Sequence, residues 1–158
     1  VTEPAPPDSF DAFYEETAIE AVRLATLLTS NAEDAQDLVQ EAFVGLLRRW
    51  GSLENPAAYL QRSITNGAAN AYRRRSSASS RQQRLQAQHQ ATVPGTDEYL
   101  ADQIAVLPHA QRAVIVLKYY LQLPDREIAE LTGMRPGSVG PTLGRALRRL
   151  REDVDHGA

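Results

Sequence analysis

Two groups of arginines carry the densest charge in this chain, and the chemistry that suits them is phosphate binding. Arg73, Arg74, Arg75, Arg81 and Arg84 fall within residues 73–84 with no acid among them. Arg135, Arg145, Arg148, Arg149 and Arg151 fall within residues 135–151, again with no acid. A guanidinium keeps its charge at any physiological pH and presents a fixed fork of donors that matches a phosphate. A third group is acidic: Glu33, Asp37 and Glu41, with Gln40, recur at helical spacing, a pattern that fits a basic helical partner. Each group also has a plainer reading. An arginine run is equally a solvated surface, and acids at a helix start satisfy the helix dipole. A carboxylate metal site is a third reading of the acids, disfavoured because no histidine or second acidic cluster is near in sequence.

Covalent chemistry finds little to work with. The absence of cysteine excludes disulfides, thiolate metal sites and cysteine nucleophiles together. His89, His109 and His156 are far apart in sequence. No nucleophile–base pair, glycine-rich phosphate loop or metal-ligand spacing stands out, so the expectation is a non-enzyme with no metal and no cofactor.

The chain has 158 residues, 42% apolar and 23% charged, the balance of a globular protein. No apolar run approaches the roughly 20 residues that span a bilayer, and no basic start leads into an apolar stretch. A cytoplasmic setting without membrane insertion is expected. The net charge of −3 argues against nucleic acid only until its distribution is considered. Residues 1–72 carry eleven acidic and four basic side chains, so the two arginine groups interrupt an otherwise acidic chain. Screening limits each charge to about 8 Å in physiological salt, so local patches matter more to phosphate binding than the total.

The elements that must position these groups are all helical. Ser9 is a good N-cap, and Phe10, Phe13, Tyr14, Thr17, Ala21, Leu24, Ala25 and Leu28 follow at helical spacing. Asn31 caps a second helix with the stripe Ala35, Leu38, Val39, Ala42, Phe43, Leu46, Leu47 and Trp50, ended by Gly51. Asn55-Pro56 opens a third, which runs through Tyr59, Leu60, Ile64, Ala68, Ala71 and Tyr72 into the first arginines. Tyr59 and Tyr72 lie on that stripe and are expected in the core. Residues 76–96, serine- and glutamine-rich and then Pro94-Gly95, read as a flexible linker, part of which could extend the preceding helix. Shorter helices are expected at 99–106, 109–122 and 124–131, and a last one from Ser138 to about Asp153. No β-like alternation appears. The fold class is all-α, two small helical bundles joined by a linker.

Residues 125–150 form a unit. A short helix (Asp125 to Leu131) meets a tight turn at Gly133, and a second helix turns Val139, Leu143, Ala146, Leu147 and Leu150 inward with arginines on its other faces. That is a helix-turn-helix, whose second helix suits a major groove about 12 Å wide.

These residues, with others, resemble the extracytoplasmic-function sigma factors of the sigma-70 family. The first half resembles sigma region 2 through Glu33-Asp34-Ala35-Gln36-Asp37-Leu38-Val39-Gln40-Glu41-Ala42-Phe43, Arg49-Trp50, Asn55-Pro56-Ala57-Ala58-Tyr59-Leu60 and Asn66. The second half resembles region 4 through Leu107-Pro108, Gln111-Arg112, Tyr119-Tyr120, Glu127 to Leu131, Gly137-Ser138-Val139 and Arg145-Ala146. The resemblance implies a region 2 domain at 8–75, a linker at 76–96 and a region 4 domain at 97–154. It implies a promoter-specificity subunit whose partners are the RNA polymerase core (β′ clamp helices and β flap), promoter DNA and an anti-sigma factor. Asp37, Leu38, Gln40, Glu41, Phe43, Arg48 and Arg49 would dock on the polymerase. Asn55, Arg62, Asn66, Asn70, Arg73, Arg74 and Arg75 would hold the minus-ten element. Arg112, Arg135, Ser138, Thr142, Arg145, Arg148 and Arg149 would hold the minus-thirty-five element. The alternative function is a helix-turn-helix regulator, or a sigma-derived protein acting without promoter opening.

One stretch departs from the pattern. Where the family carries a basic or polar run, this chain has Gly140, Pro141, Thr142 and Gly144, and only Arg145 keeps a long donor. Proline inside a helix costs about 3 kcal/mol but is tolerated in the first turn. A late helix start, with Ser138 as cap, is therefore expected over a start at Pro136 with a kink at Pro141. Direct base readout should be poorer, leaving phosphate contacts and groove shape to dominate.

Overall fold

A computed structural model describes residues 9–77 and 98–156. Seven α-helices make up these residues, here numbered in chain order: α1 (Phe10–Thr29), α2 (Ala32–Arg48), α3 (Pro56–Ser77), α4 (Glu98–Ala105), α5 (His109–Ile115), α6 (Asp125–Thr132) and α7 (Val139–His156). No strand occurs among them. Of the expected linker at 76–96, Ser76 and Ser77 are the last residues of α3, and the rest lies outside the described residues.

Local chemistry sets the helix ends. Ser9 Oγ accepts from the Ala12 N–H at 3.2 Å, Asn31 Oδ1 from Asp34 at 2.9 Å, and Asn55 Oδ1 from Ala58 at 3.0 Å. Each side chain thereby satisfies a first-turn donor that has no partner within its helix. Gly133 closes α6 in the left-handed region (φ 74°), returning its N–H to the Ala129 carbonyl at 2.9 Å.

The helices α1, α2 and α3 form a three-helix bundle with Leu28, Leu46 and Ile64 at its centre. An edge-to-face aromatic set closes one end, Phe10 against Trp50 at 5.7 Å and Tyr14 against Phe43 at 4.8 Å. Tyr72 departs from the expected core position: it is 49% exposed, its ring stacked on His109.

The second half packs α5, α6 and α7 around Val114, Leu117, Ile128, Ala129 and Val139. The expected helix over 109–122 is interrupted. After Ile115 the chain widens into a π-helical segment, Val116–Tyr120, and Gln122 takes a positive φ of 56°. A 3₁₀ turn, Pro136–Ser138, leads into α7. Both expected starts are thus partly met: Pro136 opens the 3₁₀ turn, while the α-helix begins late, placing Pro141 in its first turn, where a missing N–H costs least.

The halves are not separate bodies. One core cluster runs from Leu24, Leu28 and Ile64 into Ile104, Leu107, Ala113, Ile115 and Ala146. α1 lies against α4, α5 and the π segment, and α3 lies against α6.

Candidate nucleic-acid and protein interface

The acidic face of α2 is built by position. Asp37, Gln40 and Glu41 are exposed, while Leu38 and Phe43, each 5% exposed, point into the bundle. On this buried stripe the last two shape the helix that presents the acids. Arg48 and Arg49 are exposed at the far end, with the Arg49 guanidinium 5.5 Å from the Tyr59 ring centre. An open groove of about 680 Å3 runs along this face, lined by Asp34, Asp37, Gln40, Glu41, Arg48 and Arg74 among others.

On α3, Arg62, Asn66, Asn70 and Arg73 follow at spacings of four, four and three, and all are exposed, forming one polar stripe along the helix. Arg73 donates to the Asn70 side chain within that stripe. Two other residues expected there are occupied differently. Asn55 spends its side-chain oxygen capping α3. Arg75 Nε donates to Asp34 Oδ2 at 2.6 Å, an ion pair joining α3 to α2 that holds the guanidinium pKa above its ordinary value.

Around α7, Arg135, Arg145, Arg148 and Arg149 are exposed, and Ser138 is half-buried. Thr142 is turned inward, not outward as a DNA contact would be. It is 5% exposed, because it falls on the inward stripe with Val139 and Ala146, and its Oγ1 accepts from Arg145 Nη2 at 3.1 Å. In this arrangement its hydroxyl holds the Arg145 guanidinium. Gly140, Pro141 and Gly144 are exposed, and a methyl group built on either glycine would meet open space.

Arg112 also lies elsewhere than on the exposed surface expected of a DNA contact. Its guanidinium lies in the seam between the halves, where Nη1 donates to the Leu28 carbonyl at 3.2 Å and Nη2 to those of Ala105 (3.0 Å) and Leu107 (3.1 Å). Nε is buried without a partner, and burial lowers the pKa from its ordinary value. In this arrangement Arg112 serves the carbonyl ends of α1 and α4, the natural use of a cation at helix C-termini. Sequence reasoning missed this seam altogether. The hydrogen bonds that cross it, Arg112 on Leu28 and Tyr120 Oη on Glu20 Oε2 at 2.5 Å, join residues 84 and 100 positions apart, and no periodicity encodes them.

The chain matches the description Sigma-70 region 2 over residues 13–78 and Sigma-70, region 4 over residues 97–150. It is 35% identical over 139 residues to the RNA polymerase sigma-E factor of Streptomyces coelicolor, covering 84% of this chain and 78% of that one. It is 26% identical over 141 residues to the RNA polymerase sigma factor SigV of Bacillus subtilis, covering 82% and 81%. Among solved structures, the sigma factor RpoE of Bartonella quintana, crystallised with the anti-sigma factor NepR, superposes with a TM-score of 0.67 at 21% identity over 92% of this chain and 98% of that one. Two regions in the right order, on an all-helical fold with an acidic α2 face and a helix-turn-helix, make one assignment: the chain belongs to the extracytoplasmic-function sigma factors of the sigma-70 family, the promoter-specificity subunits of bacterial transcription.

Proposed function

We propose that α2 is the face that docks on the RNA polymerase core, at the β′ clamp helices, with the second half meeting the β flap. The exposed stripe Arg62–Asn66–Asn70–Arg73 on α3, with Arg74, would hold the opened minus-ten element, and α7 the minus-thirty-five element. The observation that carries the reading is the exposed ridge Asp37–Gln40–Glu41 beside an open groove, in a chain whose relatives are named RNA polymerase sigma factors. A ridge of acids on a rigid helix gives a basic partner both register and attraction. Opened bases need pockets and donors rather than a groove, and amides alternating with guanidinium groups on α3 supply those donors.

At α7 the exposed donors are Arg135, Arg145, Arg148 and Arg149, all suited to phosphates, while Gly140 and Gly144 offer no side-chain contact to a base edge. The upstream element is then held by backbone charge and groove shape more than by base contacts. The protein performs no chemistry of its own and acts in the cytoplasm. No helix among the described residues is long and apolar enough to cross a membrane. A structural neighbour is bound to an anti-sigma factor, and control by such a partner extends naturally to this chain.

Reversing the ridge tests the docking assignment. Asp37→Arg with Glu41→Arg changes only exposed side chains, so helicity and melting temperature should hold. Affinity for core polymerase in a pull-down or titration should fall by about 2–5 kcal/mol. Unchanged association would remove α2 from the interface.

A further inference from the structure

Four helical threonines, Thr17, Thr26, Thr29 and Thr132, turn their hydroxyls back onto the carbonyl four residues earlier, at 2.7 or 2.8 Å. Thr142 puts its hydroxyl to another use. It is buried on the inward stripe of α7, and its Oγ1 accepts from Arg145 Nη2, one turn further along, at 3.1 Å. The arginine itself is exposed. Around α7 it stands apart from the other exposed arginines in being held. Arg135, Arg148 and Arg149 have no hydrogen-bond or ion-pair partner among the described residues.

A recognition helix meets base edges with its N-terminal residues. In the first two turns of α7 the exposed positions are Gly140, Pro141, Gly144 and Arg145. Neither glycine nor proline carries a side-chain donor or acceptor, and a methyl group built on Gly140 or Gly144 would meet open space. Arg145 is therefore the one exposed side chain in those turns that can hydrogen-bond a base. Arg148 and Arg149 come a turn later, where unheld arginines suit the phosphate backbone.

We propose, on the reading of α7 as the minus-thirty-five helix, that Thr142 is a positioning residue: its buried hydroxyl sets the Arg145 guanidinium in place to read a single guanine of the upstream element. A free arginine gives up its rotamer freedom when DNA fixes it, and a held one has given up most of that beforehand. The hydroxyl is neutral, so it orients the guanidinium without cancelling its charge, unlike the Asp34 carboxylate that holds Arg75. Nη2 takes part in both two-donor edges of the guanidinium fork. Whichever of its hydrogens meets Thr142, the other edge stays complete, and two parallel donors match O6 and N7 of guanine. Base discrimination by α7 is then concentrated at one G·C pair, and the neighbouring pairs are read through shape and charge.

The test is a selection with the full chain on core polymerase, from a pool of promoter duplexes randomised across the upstream element and carrying a minus-ten part that the parent chain uses. Sequencing the bound DNA gives the ratio of best to worst base at each position. The parent should favour a G·C pair at one position by about fivefold to a hundredfold. Arg145→Ala should bring that ratio close to one. Thr142→Val keeps the buried shape and removes the hydroxyl, so it should cut the ratio severalfold, and Thr142→Ser should hold it near the parent value. In both Thr142 variants the ratios at other positions and the slope of log affinity against log salt should match the parent, whereas a helix only loosened by substitution would weaken every sequence alike. If Thr142→Val melts early, Thr142→Ser and Thr142→Ala, which differ by the hydroxyl alone, make the same comparison. A G·C preference that survives loss of the hydroxyl at full size, or that survives Arg145→Ala, overturns the proposal. A parent that selects no base yet still needs the upstream duplex also overturns it and leaves the proposed function standing. A parent indifferent to that duplex overturns both.

Discussion

His109 lies flat against Tyr72 in the seam, and burial, followed by the nearby charges of Arg112 and Arg73, pushes its pKa down to about 4. A histidine held below its unfolded value of about 6.5 binds fewer protons folded than unfolded, so stability rises with pH across that window. The contribution is complete above pH ~6.5 and is lost as pH falls toward 4. Near pH 5.5 the loss should be about 1 kcal/mol, after allowance for the ring's partial exposure. Thermal melts at neutral pH and near pH 5.5 should differ by less in His109→Gln than in the parent chain. Equal differences would mean that carboxylates, not His109, set the acid limb. Tyr120 also registers the seam: burial and then its hydrogen bond to Glu20 raise the phenol to about 12. At this scale the sequence was a poor guide. Arg112 and Arg75 looked like two more phosphate ligands because an arginine's type does not tell which carbonyls or carboxylates the fold will bring to it. Leu28 and Asp34 became their partners only through packing.

Elements were far more legible. Ser9, Asn31, Asn55 and Gly133 mark helix ends through interactions of three or four residues, and such local chemistry is written directly in the chain. The apolar stripes gave α1, α2, α3 and α7 most of their inward faces for the same reason, with Tyr14, Leu47 and Tyr72 turned outward instead. The π segment Val116–Tyr120 was not legible, because an extra residue in a helical turn leaves the apolar types unchanged. The burial of Thr142 was overlooked because its hydroxyl suggested DNA, whereas its place three residues after Val139 and four before Ala146 put it inside. On that same helix, Gly144 costs helical stability with no packing reason: its φ is ordinary and the space around it is open. Gly144→Ala should stabilise the chain by about 0.5–1 kcal/mol, raising the melting temperature by about 2–4 °C per kcal/mol. If it destabilises instead, a contact absent from this arrangement holds the glycine.

For the whole molecule, the distribution of charge decides behaviour more than its sum. A chain of net charge −3 presents Arg135, Arg145, Arg148 and Arg149 around one exposed helix, far in sequence from the acids of α2. Its affinity for an upstream-element duplex, measured with core polymerase, should fall steeply with salt. Arg148→Ala with Arg149→Ala should flatten the plot of log affinity against log salt by about 2 if each guanidinium holds one phosphate. An unchanged slope would mark both as plain surface. The all-helical class and the two-part organisation could be read from the sequence, since each half has its own stripes and caps. Their union could not, because it depends on Ile104, Leu107 and Ala113 finding Leu24, Leu28 and Ile64 across the chain.

That shared core bears on how the protein comes apart. Apolar surface common to both halves couples their melting, so a calorimeter should record a single endotherm for the intact chain, not two. Severed between Ser77 and Glu98, each fragment would bare the greasy side that its counterpart had covered, and would clump or melt early unless the other fragment were supplied in trans.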